Sequence, residues 1–194
     1  MGEPGMSFDA TQRALPIVHD FRERNQWSLS ASDEPFWVAV YNKAFPGLLH
    51  TELNTDIDRQ KQGIDRVLYL ANGNVLYVDE KKRERVYSDI LLEYVSVDST
   101  GAPGWIEKDL AIDYLAYAFI PSKLCYLFPW PMLRRAWLQF RDAWKQAYVP
   151  VRAQNRNYVT WSLPVPISVL QRAVSTAAVI DVASNFPPSH NHGG

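Results

Sequence analysis

The sequence predicts an α+β (α/β) domain in which helices flank one mixed β-sheet, and three observations carry that expectation. The run from Gln60 to Arg83, QKQGIDRVLYLANGNVLYVDEKKR, sets two short runs of branched and aromatic residues on either side of Asn72-Gly73, the pattern of a β-hairpin over 64–70 and 75–82. Three further runs rich in branched and aromatic residues follow: DILLEYVSV (89–97), AIDYLAYAFI (111–120) and KLCYLF (123–128). After Pro129 and Pro131, an apolar stripe of Leu133, Ala136, Trp137, Phe140, Trp144 and Ala147 recurs at intervals of three and four, which specifies an amphipathic helix over 132–148.

The remaining elements fall around these. Residues 1–7 carry Gly and Pro and read as loose chain, and Phe8–Asn25 reads as a helix kinked or broken at Pro16. Asp33-Glu34-Pro35 is a helix start, with acids in the first turn and proline close behind them. Phe36, Val40, Tyr41 and Ala44 then repeat at helical spacing until Pro46-Gly47 stops the element. The hairpin comes next, with 89–97 expected in the same sheet and leaving through the loop 98–104. Beyond the 132–148 helix, RAQNRN reads as a polar loop, YVTWSL (158–163) as a strand, and 167–180 as a last helix after Pro164 and Pro166. One domain is expected over 1–185, with a disordered Pro- and Gly-rich tail over 186–194. No repeat and no linker divides the chain.

Composition excludes several function classes. With 194 residues, 47% apolar, seven Trp and ten Tyr, the chain has the material for one packed core. A formal charge of −1 gives no bulk attraction for nucleic acid, so any such role must rest on local charge. Cys125 is the single cysteine, which rules out an internal disulfide and a cysteine-built zinc site and fits a reducing compartment. No apolar run approaches the ~20 residues of a membrane span, and MGEPGM has neither a secretory layout nor a myristoylation site. The expectation is a soluble cytoplasmic protein, as monomer or oligomer. Walker, GxGxxG and GxSxG motifs are missing, and the histidines are scattered.

One constellation points to chemistry. Asp65 opens the first hairpin strand and Asp79-Glu80-Lys81 closes the second, so the fold brings two carboxylates and a lysine to one end of the strand pair. Magnesium takes hard oxygen ligands and keeps several waters, so one or two carboxylates suffice to hold it. A lysine beside them can hydrogen-bond an attacking water and the developing charge on a phosphate.

The pattern Asp65, then Asp79-Glu80-Lys81, resembles the PD-(D/E)XK nuclease superfamily, the restriction-endonuclease-like fold. The resemblance covers roughly residues 50–97. QKQGID and VDEKKR are also similar to segments of uncharacterised phage and bacterial members. Ile64 replaces the eponymous proline, and Asp79 stands where Glu is usual. The resemblance implies a hydrolase dependent on Mg²⁺ or Mn²⁺, with Asp65, Asp79 and Glu80 at the metal and Lys81 at the water. It implies in-line attack on a phosphodiester, leaving a 5′-phosphate, with DNA favoured over RNA as the substrate and the choice between them left open.

The frame within the cluster stays open. Alternation puts Asp79 and Lys81 on one face of the strand, and Glu80 and Lys82 on the other. A two-residue Asn72-Gly73 turn sets Asp65 opposite Glu80; a three-residue turn with a Gly bulge sets it opposite Lys81, beside Asp79. Local geometry favours the first and the family pattern the second, and a bulge near the site can reconcile them. In the second frame Glu80 contributes at least its backbone carbonyl.

Between Lys123 and Arg156 stand seven basic residues against one acid, Asp142, with Trp130, Trp144, Tyr148 and Tyr158 interleaved. Arg134, Arg141 and Lys145 fall on one helix face, and with Arg152 and Arg156 they form a candidate nucleic-acid track, or else a solvated face over core tryptophans. Glu93, Glu52 and Gln60 are accessory candidates, each more simply read as an ordinary surface or strand residue. The competing reading of the whole chain is a non-catalytic nucleic-acid-binding or protein-interaction module on the same fold.

Overall fold

The computed structural model describes residues 33–186 together with the backbone of His19–Asp20. In chain order the elements are β1 (His19–Asp20), α1 (Glu34–Ala44), β2 (Leu48–Leu53), α2 (Ile57–Lys61), β3 (Arg66–Leu70), β4 (Val75–Arg83), β5 (Asp89–Val97) and β6 (Ala102–Pro103). After these come β7 (Tyr114–Phe119), β8 (Leu124–Pro129), α3 (Trp130–Ala147), β9 (Val151–Gln154), β10 (Val159–Pro166), α4 (Ile167–Ala173) and β11 (Ala178–Asp181). The expectations for residues 1–7 and for the tail after Phe186 lie outside the described residues. So does most of the expected 8–25 helix, where the described pair His19–Asp20 is a strand instead.

The α+β expectation holds, with two sheets in place of one. A mixed sheet runs β2-β3-β4-β7-β8-β11, with β4 and β7 parallel and all other neighbours antiparallel. A second sheet runs β1-β9-β10-β5-β6 and is antiparallel apart from the β1–β9 pair. The expectation that 89–97 joins the hairpin sheet is therefore corrected: β5 pairs with β10 and β6. The physical reason is the β4–β7 pair. Parallel neighbours need a long crossover, and here that crossover carries β5 into the second sheet.

Alternation along β3 and β4 divides the main sheet into two packed faces. Leu68, Val78, Ala116, Ala118, Cys125 and Leu127 face Phe36, Trp37, Val40 and Tyr41 of α1. Val67, Leu115, Tyr117, Phe119 and Phe128 belong to the other cluster, with Ile90, Leu92, Leu163 and Val165 of the second sheet and Leu133, Trp137 and Trp144 of α3. The helix stripe expected from spacing is the one that packs, except that Phe140 is half-buried and Ala147 exposed.

Three boundaries depart from expectation for local reasons. β10 continues through Pro164 and Pro166 because β9 pairs only with Val159–Ser162, so beyond Ser162 one side of β10 has no strand partner among the described residues waiting for a donor. The last helix stops at Ala173, and 178–181 form β11 against β8, where the branched pair Val179-Ile180 suits a strand better than a helix. Within RAQNRN, residues through Gln154 form β9 instead of loop.

The loop after β5 is pinned at Gly104, whose N–H donates to Tyr94 O at 3.0 Å. A Cβ there would sit 2.1 Å from the Glu93 carbonyl oxygen. Gly104→Ala is expected to destabilise the protein by about 3 kcal/mol through overpacking against backbone, and urea unfolding measures it. A loss below about 0.5 kcal/mol would show that the loop simply moves aside.

Candidate active site

Asp65 owes its position to the segment before β3. Asp56 caps α2 by accepting from the N–H groups of Asp58 and Arg59. Gly63 turns the chain with φ +85°, where a Cβ would also strike Leu110 at 2.9 Å. Buried Asn54 then fixes the backbone: its Nδ2 donates to Ile64 O at 2.6 Å and its N–H to Asp65 O at 2.9 Å. Asp65 N–H donates to Val78 O at 2.9 Å, while Arg66 is the residue that faces Val78 in the ladder. Asp65, just ahead of β3, and Arg66 are thus both held against Val78.

The hairpin turn has three residues, Ala71-Asn72-Gly73, closed by Leu70 N–H donating to Asn74 O, with Gly73 at φ +83°. The resulting register, with Arg66 opposite Val78, is one residue away from that of a two-residue turn and two from the other expected frame, so Asp65 lies directly opposite neither Glu80 nor Lys81. Asp65 comes beside Asp79, and its Oδ2 accepts from the Glu80 N–H at 2.9 Å. The Lys81 ammonium contacts the Asp79 carboxylate. Asp65, Asp79 and Lys81 are brought together.

The Glu80 side chain, expected at the metal, is not brought with them. That side chain points to the reverse face of β4, where Glu80 Oε1 accepts from Arg66 Nε at 2.5 Å and Tyr41 Oη at 2.8 Å. Only the Glu80 backbone lies at the Asp65 side. Lys82 also points backward and pairs with Asp33 at 2.5 Å. The Glu80/Lys82 frame is thereby occupied by α1.

Electrostatics separate the two aspartates. Asp65 is half-buried, whereas Asp79 is 1% exposed. Burial holds the Asp79 carboxyl well above the usual carboxylate range, with the Asp65 charge adding to the rise and Lys81 opposing it. Burial pulls the Lys81 pKa down, but Asp79 and then Asp65 outweigh it, so the ammonium is held above its ordinary value. Glu93 of β5, itself buried, adds to that field from the second sheet. Glu52 is exposed and accepts from Tyr69 Oη at 3.0 Å; Gln60 Nε2 donates to Asn54 O at 2.8 Å. Gln60 thus supports the Asp65 segment from outside.

The basic track is only partly assembled. Arg134 Nε donates to Lys108 O, Arg141 pairs with Glu107 at 3.3 Å, and Lys145 Nζ lies 4.4 Å from the Tyr94 ring centroid. These three line one side of α3 but are turned onto the 105–108 turn and β5. Arg152 reaches Gln154, and Arg156 is exposed in the β9–β10 loop.

No protein-family model, curated protein or solved structure matches this chain.

Its chemistry follows from the residues themselves. Among the described residues, no three His, Cys, Asp or Glu side chains form a metal-holding group. Two neighbouring carboxylates, one of them disfavoured as an anion, still suit a hard divalent cation that completes its shell with water. None of the described helices is long and apolar enough to cross a membrane. Sequence reasoning missed Arg66, Tyr41 and Asn54. Arg66 had a readable signal: a charge opening the run RVLYL at the same parity as Leu68, on the core side.

Proposed function

We propose that the chain is a divalent-metal-dependent nuclease of the PD-(D/E)XK type, hydrolysing phosphodiester bonds in DNA in preference to RNA. The observation that carries this reading is the meeting of Asp65, Asp79 and Lys81 at one end of the β3–β4 pair. Mg²⁺ or Mn²⁺, when bound, neutralises phosphate charge and sharpens a water. Asp65 and Asp79 are the residues to hold it, with the Glu80 carbonyl beside them. Lys81 donates to the attacking water and to the phosphate as charge develops. The water oxygen forms the new bond to phosphorus and gives up a proton to solvent, while the bond to the 3′ oxygen breaks and that oxygen takes up a proton from solvent, leaving a 5′-phosphate and a 3′-hydroxyl. A lone, buried Cys125 agrees with a reducing, cytoplasmic setting.

One observation favours the non-catalytic binding module: in this structure Asp79 is enclosed and its carboxylate is occupied by Lys81. Labelled single- and double-stranded DNA and RNA, incubated with the full chain and Mn²⁺, Mg²⁺ or EDTA, separate the two readings. Cleavage that requires the metal and stops in EDTA is expected. Binding without cleavage under every condition would transfer the proposal to the binding module.

A further inference from the structure

The strand that carries Asp79 and Lys81 is held from behind. Arg66 is fully buried, and its guanidinium meets Glu34 through both terminal nitrogens, at 2.9 and 2.7 Å, as well as Glu80 at 2.5 Å and Thr51 at 3.3 Å. Tyr41 donates to the same Glu80 oxygen, and its ring lies 5.6 Å from the Arg66 guanidinium carbon. Two residues further along β4, the next backward side chain, Lys82, is bound by Asp33. Both backward residues of the Asp79–Lys82 segment are therefore fixed from the α1 side of the sheet. Burial holds the Glu80 pKa up, with Arg66 and Tyr41 opposing it, so the clamp works against the cost of enclosing this charge. Replacing buried ion clusters with apolar side chains is often neutral or stabilising, so stability alone is a weak reason for having one.

We propose that Arg66, Glu34, Glu80 and Tyr41 position the reacting groups. The inference rests on the nuclease reading above. The path is short. Arg66 and Tyr41 hold the Glu80 side chain to the rear, which fixes the peptide whose N–H donates to Asp65 Oδ2 and directs Asp79 and Lys81 forward. Released from the clamp, that segment can rotate or slip, and Asp65 loses the donor that aims it. The four side chains bond one another behind the strand that carries Asp79 and Lys81, so each is a positioning residue. Partners behind a metal site cost about 10–100-fold in metal affinity or activity when removed.

The test compares the full-length wild type with Tyr41→Phe, Arg66→Lys and the double variant Arg66→Met/Glu80→Leu. The double variant removes two facing charges together and leaves neither buried alone. The readouts are kcat, KM for the nucleic acid, and the Mn²⁺ concentration at half-maximal rate. The double variant is expected to lose about 10–100-fold in kcat and to need more Mn²⁺, with KM unchanged. Arg66→Lys keeps the charge but not the fork, so its loss is expected in the same direction. Tyr41→Phe keeps the shape and removes a single donor, and a smaller loss with the same Mn²⁺ shift is expected. Variants that only melt earlier, with wild-type kcat and Mn²⁺ dependence below their midpoints, would overturn the positioning role and leave the nuclease reading standing. Should the double variant not fold, Tyr41→Phe decides on the same criterion. A wild type that neither cleaves nor responds to Mn²⁺ in thermal unfolding would overturn the nuclease reading, and this inference with it.

Discussion

Lys81→Ala is expected to lower the cleavage rate by about 10³-fold at saturating Mn²⁺, with nucleic-acid affinity and fold retained. The side chain is mostly buried but belongs to neither apolar cluster, so its removal opens little of the hydrophobic core. Its ammonium is the cation in contact with Asp79, and it shares the forward face of β4 with that residue. The interaction it supplies matters most when charge builds on the phosphate, so the loss belongs in kcat and not in KM. Lys82→Ala is the paired control. Lys82 points backward to Asp33, and breaking that partly buried pair costs about 1 kcal/mol of stability without touching the reacting side. Loss of cleavage in Lys82→Ala with activity retained in Lys81→Ala would show that the opposite frame operates.

That frame illustrates where sequence reading ends. The apolar runs VLYL and VLYV around Asn72-Gly73 were enough to place β3 and β4, and the three-and-four spacing of Leu133, Trp137 and Trp144 was enough for α3. The frame within VDEKK turned on a single-residue difference in turn length, because Ala71 joins Asn72-Gly73 in the loop while its N–H bonds Gly47 O at 2.8 Å. It turned also on the chemistry of α1: Asp33, Glu34 and Tyr41 were all visible, but as helix start and helix stripe, not as partners of a strand some forty residues away. Sheet membership is likewise non-local. DILLEYVSV reads as a strand in any sheet, and only the parallel β4–β7 pair sends it to the second one. The basic face of α3 has non-local partners too, since Glu107 precedes the stretch from Lys123 to Arg156 and still pairs with Arg141.

The second large effect concerns metal, pH and stability together. Burial, and then the Asp65 charge, hold the Asp79 pKa above its ordinary value. Between the unfolded pKa of about 3.9 and the raised folded value, the native state binds more protons than the unfolded chain. The contribution of Asp79 is therefore fully present below the unfolded pKa and lost as pH rises through the folded one. Glu80, raised by burial, titrates in the same sense, while Glu34, lowered chiefly by its hydrogen bond to Arg66, works oppositely. Comparison with Asp79→Asn isolates the Asp79 part, and its midpoint is expected to fall less than that of the wild type across this window. A divalent cation demands the ionised carboxylate, so binding expels that proton and the metal effect grows with pH. At ten times its Kd, one cation bound to the native state alone adds about 1.4 kcal/mol, or roughly 3–6 °C for a domain of this size. Asp65→Asn should abolish that rise and keep the fold, because an amide oxygen can still accept from the Glu80 N–H. An equal Mn²⁺ response in wild type and Asp65→Asn would place any bound metal away from these residues. A wild-type midpoint that does not move at millimolar Mn²⁺, joined to uncleaved DNA and RNA, would leave Asp65, Asp79 and Lys81 as a buried ion-pair cluster in a binding module.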